Sequence, residues 1–174
     1  TDKGNFEEHN IPNLIKTHIP GHEKQFIEEC RQKLYEHREE RVHPYKDDKV
    51  LTAWNGLMIA AMAIGGRVLK DGSYTDAAEK ALQFILSNLV REDGRLLARY
   101  RDGEAAFLAY ADDYAFLVWG LIELYETTYK PEYLDRALTL TDDMLDLFED
   151  KEDGGFFMTG RDSEQLITRP KDAY

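Results

Sequence analysis

The sequence predicts an all-α fold made of helical hairpins, a partial (α/α)6 toroid with short β-hairpins between its repeats. Two observations carry this: a repeat of about 60 residues, and a constant contrast between the two helices inside each repeat. Trp54 to Tyr114 spans 60 positions, Tyr74 to Tyr133 spans 59, and Asp93 to Asp153 spans 60. Offsets that agree this closely mark one structural unit used twice.

The first helix of each copy is apolar nearly all round. Leu57, Met58, Ile59, Ala60, Ala61, Met62, Ala63 and Ile64 run together after Trp54-Asn55-Gly56, and Phe116, Leu117, Val118, Trp119, Leu121 and Ile122 follow Tyr114. A helix without a polar face is expected to be buried on most sides. The second helices are one-sided, with stripes of Ala78, Ala81, Leu82, Ile85 and Leu89, and of Leu134, Leu138, Thr141, Leu145 and Phe148. Each copy thus pairs an inner helix with an outer one. Gly65 and Gly66 are expected to let the first inner helix approach its neighbours closely.

The connections support a closed ring over an open solenoid. Asp93-Gly94 leads into an extended piece, Arg95 to Tyr100, that turns at Asp102-Gly103; Asp153-Gly154 leads into Phe156 to Gly160 and a second expected hairpin through Ile167. Common solenoids use shorter repeats. The hairpin repeats cover about 51–110 and 111–170. Ahead of them, Gly21-His22 opens a helix expected to turn Phe26, Ile27, Cys30 and Leu34 inward and to end near Arg41. Residues 1–20, with Pro12 and Pro20, read as an extended arm, and 21–174 as the first part of the ring. Five helices fall short of the dozen a six-hairpin ring needs. The chain halts at Lys171-Asp172-Ala173-Tyr174, where another inner helix is expected.

Composition excludes several classes of partner. The net charge is −12 with no Lys/Arg stripe, against both nucleic acid and anionic membrane. Leu57 to Ile64, the longest apolar run, is too short to span a bilayer. The single cysteine, Cys30, forms no internal disulfide, and the polar opening Thr1-Asp2-Lys3-Gly4-Asn5 carries no secretory leader, so the cytoplasm is expected. No His/Cys/Asp set has metal-ligand spacing and no phosphate loop is present, so neither metal nor cofactor is expected.

Several runs resemble one family. Asp47-Asp48-Lys49-Val50-Leu51-Thr52-Ala53-Trp54-Asn55-Gly56-Leu57-Met58, Asp112-Asp113-Tyr114-Ala115-Phe116, Lys3-Gly4-Asn5-Phe6-Glu7 and Cys30-Arg31-Gln32-Lys33-Leu34 resemble, in order, segments of the thioredoxin-fused, spermatogenesis-associated protein family. The resemblance implies a longer protein in which an N-terminal thioredoxin-like domain precedes a six-hairpin toroid similar to N-acylglucosamine 2-epimerases and some glycosidases. The missing remainder of the ring and that thioredoxin-like domain would be the chain's partners. The family has no firmly established reaction.

In such toroids a ligand cavity lies at the end of the ring where inner-helix N-termini and hairpin loops meet. The residues expected there are Thr52, Trp54 and Asn55 in the first copy and Tyr110, Asp112, Asp113 and Tyr114 in the second, with Arg99, Tyr100 and Arg101 reaching over from the hairpin. Trp54 reads as a stacking platform for a small carbohydrate or as core, and Asn55 as a hydroxyl-recognising amide. Asp113 reads as an acid/base group, a hydroxyl ligand or a helix cap; Asp112, Tyr114 and Arg99 complete the ligand-binding set. The five histidines, His9, His18, His22, His37 and His43, all precede the first complete hairpin, so a histidine pair for proton transfer would have to come from elsewhere. Two functions stay open: a carbohydrate-binding or carbohydrate-modifying cavity, and a non-catalytic frame that positions a thioredoxin-like domain for protein partners. A partial ring also bares apolar flanks, which predicts self-association.

Overall fold

The computed structural model describes residues 3–11, 13, 15 and 17–171. Pro12 and the expected continuation at 172–174 lie outside the described residues. The chain divides into two compact units, Thr1–Asp47 and Asp48–Tyr174.

In the first unit, Phe6 and His9 form an isolated antiparallel bridge, and a 3-10 turn at Gly21–Glu23 leads into α1, Lys24–Glu39. The expected inward stripe of α1 is not buried. Phe26 is 64% and Leu34 65% exposed, and Cys30 is half-buried. Among its described residues the unit has no other helix longer than one turn to cover the apolar face of α1.

The second unit holds β1, Val50–Leu51; α2, Thr52–Leu69; α3, Gly72–Asn88; β2, Leu97–Arg101; β3, Glu104–Leu108; α4, Ala111–Thr128; and α5, Pro131–Phe148. Inner helices α2 and α4 pack against each other, α3 packs on α2, and α5 on α4. The α2–α4 contact is backbone to backbone. A Cβ on Gly56 would stand 2.6 Å from the Phe116 carbonyl carbon, and one on Gly120 2.9 Å from the Gly56 oxygen. Gly65 meets nothing within 4 Å, but a Cβ on Gly66 would press on the Thr75 hydroxyl and stand 3.3 Å from the Thr75 N, so α2 closes on α3 at Gly66 as expected and on α4 at Gly56.

Both inner helices stop the same way. Lys70 and Tyr129 adopt left-handed φ of 56° and 57°, and their N–H groups bond the Gly66 and Tyr125 carbonyls. Asp71 caps α3 by accepting from Ser73 N–H, and Pro131 opens α5 where its missing N–H costs nothing. At the far end of the inner pair, Thr127 Oγ1 donates to the Ala63 carbonyl and Arg67 meets Glu123 and Glu126.

The core lies between inner and outer helices, around Ile59, Leu82, Ile85, Leu89, Leu117, Leu121, Leu124, Leu140 and Phe148. On α5 the buried line is Ala137, Leu140 and Phe148; Leu138 and Leu145, expected inside, face out. The line through Tyr133, Ala137, Leu140, Met144 and Leu147 follows the same 3–4 spacing one position away. The inner helices also depart from expectation. Trp54 is 71%, Met58 56% and Trp119 46% exposed, so burial covers one side of α2 and α4 only.

The three strands form one antiparallel sheet in the order β1-β2-β3. Val50 pairs with Tyr100 and Leu51 with Arg99; Tyr100 pairs with Ala105 and Arg101 with Glu104. The β2–β3 turn is Asp102-Gly103, with φ of 52° and 83°, the doubly left-handed geometry that matches strand twist. The second copy differs. Among the described residues the segment after α5 has no strand ladder, only an isolated Glu149–Phe156 bridge. Its backbone groups bond elsewhere instead: Met158 N–H to the Pro170 carbonyl, and the Arg169 guanidinium to the Leu147 and Thr159 carbonyls.

Candidate functional site at the N-terminal ends of the inner helices

The start of a helix leaves backbone N–H groups without partners. At α2 and α4 a single side chain serves both. Asp113, at the third position of α4, accepts from Tyr110 N–H on Oδ2 at 2.9 Å and from Ala53 N–H on Oδ1 at 2.8 Å. It is 4% exposed. Burial pushes its carboxyl up to about 6; the two N–H bonds and nearby Arg95 oppose the rise and Asp112 adds to it. Asp112 Oδ1 accepts from the Asp113 N–H, extending the cap outward.

The sheet is tied to the same place. Thr52 is fully buried and its hydroxyl donates to the Leu97 carbonyl at 2.6 Å. Asn55 Nδ2 donates to the Leu51 carbonyl, which fixes its amide over the first turn of α2. Trp54 projects outward beside these anchored neighbours, and Tyr110 is 45% exposed at the start of α4. Because one carboxylate holds both Ala53 and Tyr110, the two aromatic residues sit on adjoining helix ends.

Tyr114 has no exposed surface. Its hydroxyl accepts from Arg95 Nη1 at 3.0 Å and from Leu96 N–H at 3.2 Å. Arg95, which the sequence did not single out, is the centre of a buried network. It is 6% exposed, lies over the Tyr114 and Phe148 rings, donates to the Ala109 carbonyl and pairs through Nε with Asp162 at 2.8 Å. In the sequence Arg95 ends the polar stretch Arg91-Glu92-Asp93-Gly94, and nothing local marks it as buried. Arg95, Tyr114, Asp143 and Asp162 line a cleft of about 190 Å³.

Of the hairpin residues, Tyr100 turns to the core and meets Phe84 edge-on, and Arg101 pairs with Asp48 at 3.0 Å. Arg99 lies on the opposite face, its guanidinium 4.7 Å from the Phe107 ring centre. The expected set therefore separates into two layers. Asp113 and Tyr114 form an inner one that fixes the helix ends, while Trp54, Asn55, Asp112 and Arg99 form an outer one. Among the described residues no group of three His, Cys, Asp or Glu side chains could hold a metal ion, and no helix is long and apolar enough to cross a membrane.

Paired inner and outer helices with a sheet at the inner N-termini define part of an (α/α)6 toroid. Solved structures share this arrangement. Cellobiose 2-epimerase from Bacillus thermoamylovorans superposes with a TM-score of 0.63 and 22% identity over 72% of this chain and 33% of its own. A GH76 α-mannanase from Bacteroides thetaiotaomicron superposes with a TM-score of 0.60 and 16% identity over 67% of this chain and 33% of its own. At these identities the likeness is one of fold. No family model matches the chain. Sequence relatives are more specific: human spermatogenesis-associated protein 20 is 33% identical over 135 residues, 72% of this chain. An uncharacterized Caenorhabditis elegans protein is 33% identical over 125 residues, 67% of this chain. The chain belongs to the spermatogenesis-associated protein 20 family. It spans 17% of the length of these relatives.

Proposed function

We propose that the N-terminal ends of α2 and α4 form part of a carbohydrate-binding or carbohydrate-modifying cavity. The observation that carries this reading is Trp54. A large indole, 71% exposed, stands on a helix turn whose neighbours Thr52, Ala53 and Asn55 are all held by hydrogen bonds. A rigidly mounted, exposed aromatic ring offers an apolar face for a sugar ring at little entropic cost. Asn55 and Asp112 supply hydroxyl recognition beside it, Arg99 reaches over from the hairpin, and Tyr114 supports the floor.

Asp113 enters in two capacities. Its carboxylate sets the spacing of the two helix ends, and a carboxyl near 6 also holds protons close to neutrality, as general acid/base chemistry requires. The structure neighbours named as an epimerase and a mannanase act on carbohydrate, which supports the substrate class by fold analogy. A cytoplasmic setting, with Cys30 as the single thiol, completes the proposal.

The second reading is a non-catalytic frame that positions a thioredoxin-like domain. It is favoured by the occupation of both Asp113 oxygens and of the Tyr114 hydroxyl by groups of the protein itself. A thermal-shift screen against mono- and disaccharides, run on the native chain, Trp54→Ala and Asp113→Asn, separates the two. A sugar at about 100 times its Kd stabilises by roughly 2.7 kcal/mol. A shift that disappears in the folded Trp54→Ala chain supports the cavity; no shift with any sugar favours the frame.

A further inference from the structure

We infer that the ligand of this site is an acidic carbohydrate, one whose carboxylate is received by Arg99 where it lies against Phe107; the inference rests on the carbohydrate reading above. The first observation is the state of Arg99. In the same unit Arg67, Arg91, Arg95, Arg101 and Arg161 each meet a carboxylate. Arg99, like Arg136 and Arg169, meets none among the described residues, in a chain whose net charge is −12. Its Nε is shielded from solvent and bonded to nothing described, as are those of Arg136 and Arg169. An arginine without a carboxylate partner in so acidic a chain keeps its charge available for an anionic ligand.

The second observation is Phe107. Along β3 the side chains alternate, and Ala105 packs towards the core with its cross-strand partner Tyr100. Phe107, two residues on, should do the same. Instead its φ is +66° and its ring is 62% exposed. A left-handed conformation at a bulky aromatic residue costs about 1–3 kcal/mol, and such strain concentrates at binding sites. Here it turns an apolar ring out of the core and beneath the Arg99 guanidinium. With its carbon 4.7 Å from the ring centre the guanidinium is supported on one side, and its two Nη groups are the donors that would take a carboxylate in the two-bond fork that arginine favours and lysine does not.

Register then joins this pair to the sugar platform. Arg99 stands opposite Leu51, the residue that precedes α2. The Leu51 carbonyl also holds the Asn55 amide. The amide and Trp54 therefore branch from the segment beside which Arg99 is paired. A hexuronate suits this arrangement: its pyranose face stacks, its hydroxyls bond the amide, and its C6 carboxylate meets the cation. Binding is the whole of the inference, with no chemical step attached.

The test is calorimetric titration of the full chain with matched methyl glycosides at one ionic strength: glucuronate against glucose, galacturonate against galactose, mannuronate against mannose. At least one acidic sugar is expected to bind ten-fold or more tighter than its neutral partner. Arg99→Gln should bring it down to the neutral sugar's level, while Arg99→Lys keeps part of the preference. Circular dichroism confirms that each variant is folded. Equal affinity for acidic and neutral members, or a preference that survives Arg99→Gln, overturns the inference and leaves the carbohydrate reading standing. Binding of no sugar at all removes both.

Discussion

Asp113 reaches back 60 residues to bond the Ala53 N–H, one full repeat away, while its other oxygen bonds the Tyr110 N–H of its own helix. One carboxylate therefore registers two successive inner helices against each other. In the sequence, position 113 of the second copy corresponds to position 53 of the first, so the acid of one repeat bonds the backbone of the equivalent position in the previous one.

Removing that carboxylate should destabilise the unit. Asp113→Ala leaves the buried Ala53 N–H without a partner, at about 1–3 kcal/mol, and the partly buried Tyr110 N–H at less. Asp113→Asn keeps one acceptor and should cost about half as much. Thermal melts of the two variants test the order; equal melting temperatures for both and the native chain would sink the clamp.

Asp113 also sets a pH dependence. Its carboxyl is raised in the fold to about 6 from an ordinary 3.8, so the folded chain binds this proton more tightly than the unfolded one. Its contribution to stability is therefore largest below about 4 and declines as pH rises from 4 to 6. Asp93 and Asp150, lowered to about 2 first by their bonds to Arg91 and Lys171, act in the opposite sense and lose stability as pH falls from 4 to 2. Melting temperature followed from pH 4 to pH 7 should fall more steeply in the native chain than in Asp113→Asn.

Gly56 is a packing requirement. A methyl group there meets the backbone of Phe116 and Leu117, which no side-chain rotation relieves, so Gly56→Ala should cost about 3 kcal/mol. Gly65→Ala, with open space around it, should be neutral or slightly stabilising. Urea midpoints of the pair provide the comparison.

Arg95 should prove more important to stability than any residue at the outer rim. Arg95→Ala unpairs Asp162, strips the Tyr114 hydroxyl of a donor and opens space over Phe148, for a loss of about 3 kcal/mol. Trp54→Ala, in contrast, removes an exposed ring and should change stability by only about 0.5 kcal/mol. Chemical denaturation of both variants decides the ranking.

The bare stripe of Trp54, Met58, Ala61 and Val68 along α2 should make the chain self-associate. Light scattering should show mass rising with concentration, and Met58→Ser with Val68→Ser should suppress the rise. A constant monomer mass over a wide range would count against it.

The sequence determined the repeat and the pairing of helices, because hydrophobic period and turn residues are local properties written into each stretch of chain. Asp102-Gly103 specified its hairpin turn, and the apolar runs located α2 and α4 to within three residues. Which side of each helix would be covered was decided by tertiary structure alone. Trp54 and Met58 lie in the same apolar run as Ile59 and Ala60, and only the neighbouring helices distinguish them. The roles within Asp112-Asp113 were likewise beyond local reading, since Asp113 acts through a backbone group 60 residues away. Arg95 and Phe107 show the same limit. A buried cation and an aromatic ring turned outward both contradict the local preference of their residue types, and only contacts made across the fold hold them there.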